Sequence, residues 1–393
     1  MLTFEQSPTA EDFVQNPYPF YDRARAAGPL FYWQDYGLIC ATSSAVVGAI
    51  LRDRRFGREV PAEKRKAIPA HLAPFYAVEA HSMLELEPPR HTRLRGLVLR
   101  AFTSRRIGAL APEIAALSHA LIDAFPGGDF DLLKHFATRL PVTIIARLLG
   151  VPEERGDDLL AWSNAMVGMY QARRTPAMEA AAVTATEAFV AFMRAYVEER
   201  RNLPADDLIT SLIAAESEGE RLTTDELITT CILLLNAGHE ATVHTLGSGV
   251  KALLQAGMGA GVLTPERVEG TVEEILRLDP PLHLFTRWVY EDAEIGGHLF
   301  RRGDEVGCLL AAANRDPQVW DHPGRFDPSR PVKPNAAFGA GLHFCVGAPL
   351  ARLELQIALP ILFDRLPGLR LTETPRYGNV YHFHGLERLM VRA

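Results

Sequence analysis

The residues best suited to chemistry lie in a glycine-rich run near the C-terminal end of the chain. Residues 338–349 read Phe-Gly-Ala-Gly-Leu-His-Phe-Cys-Val-Gly-Ala-Pro and place Cys345 just before a helix signal. Glycines permit positive φ angles and the close approach of a flat ligand, while amide hydrogens at a helix start stabilise negative charge on sulfur. The run therefore predicts a thiolate presented to a bound metal. A lone cysteine is more often a small buried hydrophobe, and this alternative stays open for the residue taken by itself.

The length of the pattern favours the metal ligand. The run resembles the haem-binding loop of cytochromes P450, Phe-Gly-x-Gly-x-His-x-Cys-x-Gly, at every specified position, and the likeness continues through Leu350-Ala351-Arg352. This resemblance implies that Cys345 ligates the iron of a haem b, with Phe338, Gly339 and Gly347 in the loop around it. A thiolate ligand pushes electron density toward dioxygen and favours O–O cleavage. The implied activity is therefore that of a haem-thiolate monooxygenase.

The elements that must hold this loop are mainly helical. Apolar residues recur at helical spacing from about residue 112 to 200, while 30–42 reads as a hairpin and 288–310 as a second strand-rich patch. We therefore predict a mainly α fold with small β-sheets. The resemblance implies the cytochrome P450 fold, in which the haem lies between a long distal helix and the proximal loop and helix that carry the cysteine.

The strongest helix signal begins at Thr223, where Thr-Thr-Asp-Glu reads as a capping box. In such a box the Thr223 and Glu226 side chains satisfy free backbone amides reciprocally. No proline interrupts the pattern before about Leu254, and at 1.5 Å per residue the helix is roughly 45 Å long. Its middle, 228–237, is apolar nearly all round, which predicts burial on every face.

A polar island, Asn-Ala-Gly-His-Glu-Ala-Thr at 236–242, interrupts this apolar helix. It resembles the Ala-Gly-x-Asp/Glu-Thr-Thr signature of the P450 distal helix, where an acid and an adjacent alcohol relay protons to dioxygen. Glu240 is thus the candidate proton carrier; the structural alternative is a local network with His239 or Thr242. Ala241 stands where the family usually has threonine, and a shift of one residue turns the Thr242 hydroxyl by about 100°. Thr242, ordered water or a substrate hydroxyl therefore remain the possible replacements.

Glu274 and Arg277 lie three residues apart, so both project from one helix face and can pair. Taken alone, such a pair is usually an exposed salt bridge worth about 1 kcal/mol or less. It resembles the Glu-x-x-Arg motif of the P450 family, and Pro-Gly-Arg-Phe at 323–326 resembles the segment that adds a third member, Arg325. The resemblance implies that these three residues support the cysteine loop and take no part in catalysis.

A haem carries two propionates that need cationic or hydrogen-bonding partners in a partly buried site. His91 and Arg95 stand four residues apart on one helix face, as in the His-x-x-x-Arg helix of the family. Arg287 and His343 also occupy positions that match the family pattern. The resemblance implies that these four residues bind the cofactor, although each alone is more often an ordinary surface base.

The resemblance also implies which segments line the substrate cavity. Their residues are mostly apolar or aromatic, which favours a hydrophobic small molecule, and a few polar groups set its orientation. The candidates are Leu234, Ala237, Leu282, His283, Phe285, Tyr381 and His382.

Composition excludes several other classes of protein. With 393 residues, 48% hydrophobic and 23% charged, the chain has the composition of a globular protein, and we read 1–393 as a single domain. Its four cysteines lie far apart, so we expect no disulfides, and a formal net charge of −7 gives no support for nucleic-acid binding. The first residues resemble neither a signal peptide nor a membrane anchor. We therefore expect a cytoplasmic protein without membrane attachment, and a monomer.

Electrons should come from a separate protein, because nothing in the chain resembles a fused reductase. The resemblance implies a ferredoxin or flavodoxin with its reductase, which the basic residues Arg100, Arg105 and Arg106 could meet. Two other functions stay open. A peroxide-driven peroxygenase would share the cysteine loop but usually lacks the distal acid that Glu240 supplies, and a haem-thiolate sensor or carrier would bind haem without turning over a substrate.

Overall fold

The computed structural model describes residues 1–171, 174–217, 219–381 and 383–393. Helices dominate the described residues, and short strands form small sheets beside them, which confirms the predicted fold class. The α-helices are α1 (Glu11–Gln15), α2 (Tyr18–Ala27), α3 (Ser44–Arg52), α4 (Ala73–Glu79), α5 (Arg90–Ala101), α6 (Ser104–Ala109), α7 (Ala111–Asp123), α8 (Arg139–Leu149), α9 (Gly156–Val167), α10 (Pro176–Asn202), α11 (Leu208–Ala214), α12 (Thr224–Gln255), α13 (Val268–Leu278), α14 (Leu310–Ala313) and α15 (Ala348–Arg365).

The strands are short, and most are two to five residues long. They are β1 (Thr3–Phe4), β2 (Leu30–Trp33), β3 (Leu38–Ala41), β4 (Phe56–Gly57), β5 (Asp129–Asp131), β6 (Glu216–Ser217), β7 (Glu220–Arg221), β8 (Leu284–Val289), β9 (Ala293–Ile295), β10 (His298–Phe300), β11 (Glu305–Leu309), β12 (Arg370–Leu371), β13 (Arg376–Tyr377), β14 (Leu386–Arg388) and β15 (Met390–Arg392).

The largest sheet has the strand order β1-β2-β3-β11-β8-β4. Its β2–β3 hairpin is the one predicted at 30–42. The predicted patch at 288–310 is also present, with its turn at Gly296 and Gly297, where both φ angles are positive. Its first strand begins earlier than predicted, at Leu284, because β8 pairs with β11 from Leu284 to Trp288. This extension carries Phe285 and Arg287 into the sheet.

Helix α12 crosses the molecule and packs against α8, α9, α10, α13 and α15. Its predicted capping box is present, since Thr223 and Glu226 each satisfy the backbone amide of the other. At 32 residues it is about 48 Å long. Its contact with α15 matters for the site, because the cysteine loop leads directly into α15.

Helix α10 is long and apolar enough to span a membrane by length and composition alone. The core helix of a globular protein passes the same test, and α10 packs against α4, α9 and α12 in this fold. Most of the buried apolar side chains join one large cluster around α12, and two smaller clusters lie under the six-stranded sheet.

Candidate active site

The cysteine loop owes its path to two glycines. Gly339 and Gly341 have φ angles of 67° and 71°, which side chains rarely adopt. A Cβ at Gly341 would also overlap the backbone carbonyl of Leu51. Gly347 does not have the positive φ angle predicted for the glycines of this loop, since its φ of −79° suits any residue. It stands at the start of α15, and its amide points to the Cys345 sulfur.

The Cys345 side chain is exposed, unlike those of the other three cysteines. Protein nevertheless surrounds its sulfur closely, and this burial raises the pKa of the thiol. The amides of Gly347 and Ala348 and the charge of Arg95 act in the opposite direction without outweighing it. The amides at the helix start therefore act toward the thiolate, as predicted, but they do not determine the net shift of the pKa. A metal cation bound to the sulfur would complete the shift toward the thiolate.

Arg287 is a buried guanidinium in need of an anion. Its residue is 3% exposed, and its hydrogen bond among the described residues goes to the carbonyl oxygen of Thr286 at 2.8 Å. Burial, with the nearby charge of Arg58, lowers the pKa of Arg287 to about 10. A buried cation without a bonded carboxylate is costly, so this position fits a propionate of the implied haem.

His91, Arg95 and His343 lie together beside the cysteine loop. The His91 and His343 rings are 4.5 Å apart, and Arg95 donates to the Phe344 carbonyl oxygen at 2.6 Å. His91 is 1% exposed, and its Nδ1 has no hydrogen-bond partner among the described residues. Burial lowers its pKa to about 4, so it is neutral near pH 7. Neutral imidazole and guanidinium donors at one edge fit the second propionate, and the structure thus brings the predicted residues together.

Glu87 is a member of this group that the sequence prediction missed. Its Oε1 lies 2.8 Å from His343 Nε2 and accepts the backbone amide of Arg58 at 2.7 Å. These hydrogen bonds outweigh burial and lower the pKa of Glu87. Glu87 is therefore ionised, and its carboxylate orients the His343 ring.

Helix α12 has one open face at its middle, although burial on all faces was predicted. Ala237 is exposed while Leu234, on the preceding turn, is 8% exposed, and one turn further Ala241 is half-buried. Thr242 is 5% exposed, and its hydroxyl lies 3.5 Å from the carbonyl oxygen of Gly238. The one-residue shift thus turns Thr242 into the core, so the prediction that Thr242 could act beside Glu240 is wrong.

Glu240 lies between two histidines. Its carboxylate oxygens are 3.4 Å from His239 Nε2 and 3.3 Å from His244 Nε2. Burial alone would raise the pKa of Glu240, but the hydrogen bonds and charges of these histidines outweigh it and hold that pKa well below the usual range. The predicted network with His239 is present. His244 was missed, although its spacing of four residues from Glu240 places both on one helix face.

The Glu274–Arg277 pair is buried and bidentate, so it differs from the exposed pair that such spacing usually gives. Two of the Arg277 nitrogens donate to the Glu274 carboxylate at 2.7 Å each, and the residues are 3% and 1% exposed. The same guanidinium donates to the carbonyl oxygens of Asn314, Pro323 and Arg325. The pair thereby fastens α13 to the segment that leads toward the cysteine loop.

The third side chain of this network is Arg330, and the prediction of Arg325 is wrong. Arg330 Nε donates to Glu274 Oε1 at 3.3 Å, whereas Arg325 contributes its backbone carbonyl oxygen and its side chain is exposed. The chain turns between Pro323 and Arg330, and this turn brings the later arginine back to Glu274.

The predicted substrate residues fall into two groups. Ala237 belongs to the open face of α12, and Phe285 packs between Gly339 of the cysteine loop and the Arg287 guanidinium. Leu282 is half-buried. Ala237 thus remains a candidate for the substrate cavity, whereas Phe285 packs against the cysteine loop.

His283 does not line a cavity, because its residue is 0% exposed and its Nδ1 is hydrogen-bonded to the Tyr21 hydroxyl at 2.9 Å. Tyr381 joins the same aromatic packing near the N-terminus, with its hydroxyl 2.6 Å from that of Tyr21. His382 lies outside the described residues.

A half-buried carboxylic acid lies near Arg58. Glu79, at the end of α4, accepts from the Tyr170 hydroxyl at 3.2 Å, while Arg58 pairs with Glu85. Burial, with the negative charge of Glu85, raises the pKa of Glu79 to about 8. Glu79 is therefore largely protonated at neutral pH.

The raised pKa of Glu79 predicts that the free energy of unfolding depends on pH. Between the usual pKa near 4.3 and about 8, the folded state holds a proton that the unfolded state releases, so the free energy of unfolding falls as pH rises. We expect Glu79→Gln to remove this slope, which is at most about 1.4 kcal/mol per pH unit. Urea unfolding across this range, with the exposed Glu187→Gln as control, measures it. Parallel curves for Glu79→Gln and wild type would contradict the expectation.

Comparison with known proteins extends the likeness over the whole chain. The family model for cytochrome P450 matches residues 267–367. Cytochrome P450 107B1 of Saccharopolyspora erythraea is 39% identical over 342 residues, which cover 85% of this chain and 81% of that protein. Cytochrome P450 monooxygenase PikC of Streptomyces venezuelae is 37% identical over 377 residues, 93% of this chain and 87% of that protein.

The fold agrees with solved structures of the same kind. A crystal structure of P450BioI in complex with an acyl carrier protein ligated to hexadec-9Z-enoic acid superposes with a TM-score of 0.91 at 34% identity, and the match covers 98% of this chain and 100% of that chain. Identity at this level over nearly full length, around a cysteine loop built as described, shows that this chain belongs to the cytochrome P450 family.

Proposed function

We propose that this cytochrome P450 monooxygenase uses haem b to insert one oxygen atom of O2 into a hydrophobic small organic molecule. The observation that carries the proposal is the exposed Cys345 thiol beneath helix-start amides, in a loop bordered by Arg287, His91 and Arg95. Cys345 would ligate the iron, and these three bases with His343 would hold the propionates. Bound there, a haem with a thiolate ligand supplies dioxygen activation.

The proton path involves Glu240 and His244 together. The lowered pKa of Glu240 keeps it a carboxylate at rest, with the His239 and His244 imidazoles as its partners. The His244 ring packs so closely on Gly385 that a Cβ there would overlap it, which fixes the ring beside Glu240. His244 would supply the proton, and the carboxylate would orient the ring and receive the proton in passing.

The missing alcohol at Ala241 predicts a change in coupling. With Thr242 turned into the core, ordered water or a substrate hydroxyl must occupy the place of the alcohol. We expect Ala241→Thr to change the fraction of electrons that end in product, because it puts a hydroxyl on the open face. NADPH oxidation and product formation, measured together with the reductase system, give this fraction. Thr242→Val is the control, and an unchanged fraction in Ala241→Thr contradicts the assignment.

Electrons would enter from the side of the cysteine loop. Phe344, next to the cysteine, is 38% exposed, and its carbonyl oxygen accepts from Arg95 of α5. Arg100 at the end of α5 and Arg105 on α6 are also exposed. Arg106 is already paired with Asp206 at 3.1 Å, so it contributes less than predicted. An exposed apolar side chain beside the cysteine, together with exposed arginines on α5 and α6, would suit an acidic ferredoxin or flavodoxin. The affinity of such a complex falls as the salt concentration rises.

The relatives suggest a secondary metabolite as substrate. Among them are a mycinamicin IV hydroxylase/epoxidase and an epothilone C/D epoxidase. A second candidate is an acyl chain bound to a carrier protein, favoured by the P450BioI complex. Retention of Glu240, with His244 beside it, argues against both a peroxide-driven peroxygenase and a sensor or carrier. We further propose that the protein is a cytoplasmic monomer that forms one domain.

Titration of the ferric protein with aromatics, terpenoids, fatty acids, macrolide-like lactones and an acyl carrier protein tests this function. We expect one class to shift the Soret band, and turnover of that compound under 18O2 to place one labelled atom in the product. A ligand that binds and yields no labelled product would support a sensor or carrier instead.

A further inference from the structure

A second cleft lies away from the cysteine loop, at the end of α12. It has a volume of about 550 Å3 and is walled by α12, the end of α13, the N-terminal segment near Tyr18 and residues 315–326. None of the residues assigned above to the cofactor, the proton path or the substrate lines it. Ligands in this cleft would therefore be separate from those of the active site.

The walls of this cleft carry excess positive charge. Lys251, Arg315 and Arg325 line it, while Asp279 is the carboxylate among its lining residues. Arg315 donates Nε and Nη2 to the Leu278 carbonyl oxygen at 2.8 and 2.7 Å, so it remains unneutralised and its Nη1 bonds no described residue. Two positive charges therefore remain without a counter-charge on the walls.

Asp279 is already fully engaged. It accepts from the Tyr18 hydroxyl at 2.6 Å and from the Tyr377 hydroxyl, and its Oδ1 is 3.3 Å from His384 Nδ1. Lys251 Nζ lies 3.6 Å from Oδ2 and also donates to Tyr377. The carboxylate is therefore turned toward its own partners and cannot neutralise the arginines across the cleft.

A buried hydroxyl on the wall lacks a partner. Ser248 lines the cleft on α12 one turn before Lys251, is 2% exposed, and its Oγ has no hydrogen-bond partner among the described residues. A buried polar group of this kind requires a partner, and here it stands beside a lysine. Hydroxyl and ammonium donors at this spacing suit the oxygens of an anion.

A cation is the competing occupant. Ligand atoms of Asp279, His283 and His384 lie within 4.8 Å of one another, and this spacing could suit a metal ion. Lys251 at 3.6 Å from Asp279 and the excess positive charge of the walls oppose a second cation, because like charges at such distances repel strongly in a partly buried site. Both carboxylate oxygens also already accept phenol hydroxyls. Charge therefore favours an anion.

We propose that this cleft binds a small oxyanion, a phosphate or a carboxylate, through Ser248, Lys251, Arg315 and Arg325. The site would respond to ligands independently of the haem pocket, because its residues lie at the C-terminal end of α12 and the open face lies at the middle of that helix. Binding would also steady the end of α13, where Asp279 follows Arg277 by two residues.

Calorimetric titration of the haem-loaded protein with inorganic phosphate, pyrophosphate and citrate at constant ionic strength tests the proposal. We expect saturable binding of at least one of them, weakened about tenfold in Lys251→Met and in Arg325→Ala, with a smaller loss in Ser248→Ala. Preference for phosphate or citrate identifies the anion class. Arg370→Ala removes an exposed arginine outside the cleft and should leave binding unchanged.

Three outcomes overturn the proposal. The first is that the wild type binds none of the anions saturably. The second is that Arg370→Ala weakens anion binding as much as the cleft variants do, and the third is that the protein binds zinc and loses this binding in Asp279→Asn. The last would assign the cleft to a metal. Soret spectra recorded in parallel show whether each variant keeps its haem, so that a misfolded variant is not scored as a loss of anion binding.

Discussion

Replacement of Arg277 by alanine should cost about 3–5 kcal/mol of unfolding free energy, since it leaves Glu274 as a buried charge and removes donors from three carbonyl oxygens. Among the described residues, Arg330 Nε at 3.3 Å and the Asp327 amide at 2.9 Å would still bond Glu274, and of these Arg330 carries the compensating charge. Whole domains are stable by about 5–15 kcal/mol, so this variant should yield little folded, haem-loaded protein. Arg277→Lys should recover part of the loss, because it restores the charge without the bidentate fork.

The chain offers a matched control for this prediction. Arg388 and Glu373 form a bidentate pair of similar geometry, at 2.6 and 2.9 Å, but the arginine side chain is 62% exposed. Arg388→Ala should cost about 1 kcal/mol or less. Urea unfolding and haem content of both variants provide the comparison. Equal losses of unfolding free energy in Arg277→Ala and Arg388→Ala would mean that burial does not strengthen the Glu274–Arg277 pair.

Glu240→Gln should lower the rate of substrate oxidation by about 10²- to 10⁴-fold, the usual contribution of a positioned acid or base. Glutamine keeps the size of the side chain and can still hydrogen-bond to His239 and His244, but it has no negative charge and cannot take up and release a proton. Electron consumption should fall less than product formation, because reduced oxygen then leaves as peroxide or water. Steady-state rates and the solvent deuterium isotope effect measure the change, with the exposed Glu269→Gln on α13 as control.

His244→Gln separates a shared proton path from a role of Glu240 alone. If the two residues act as a unit, the double variant should be no slower than either single variant, since such effects are not additive. Full activity in His244→Gln would restrict the role to Glu240 and remove His244 from the path. A shift in the pH profile of the rate, which simple loss of packing would not produce, supports proton transfer.

Features within a few residues of one another were predictable from the sequence. The cysteine loop, the capping box at Thr223 and the turn of Thr242 away from Ala241 follow from local spacing and helix geometry. His244 could have been found in the same way, because it lies four residues after Glu240. The Glu274–Arg277 contact was also predicted, but its burial depends on neighbours that the spacing does not specify.

Features that depend on distant segments were less accessible. Arg330 reaches Glu274 through a turn of the chain between 323 and 330, so a motif at 323–326 pointed to the wrong arginine. The resemblance assigned His283 to the pocket, but contact with Tyr21, more than 250 residues earlier, buries it elsewhere. Glu87 likewise joins the haem-side bases through His343, a contact 256 residues apart.

The ferrous carbon monoxide spectrum of wild type and of Cys345→Ala tests the central claim most directly. We expect the wild type to show the red-shifted Soret band of a thiolate ligand and the variant to lose it, with haem content checked independently by a haemochrome assay. Persistence of the thiolate-type band in a haem-loaded Cys345→Ala protein would contradict the assignment of Cys345 as the iron ligand, and with it the proposed mechanism.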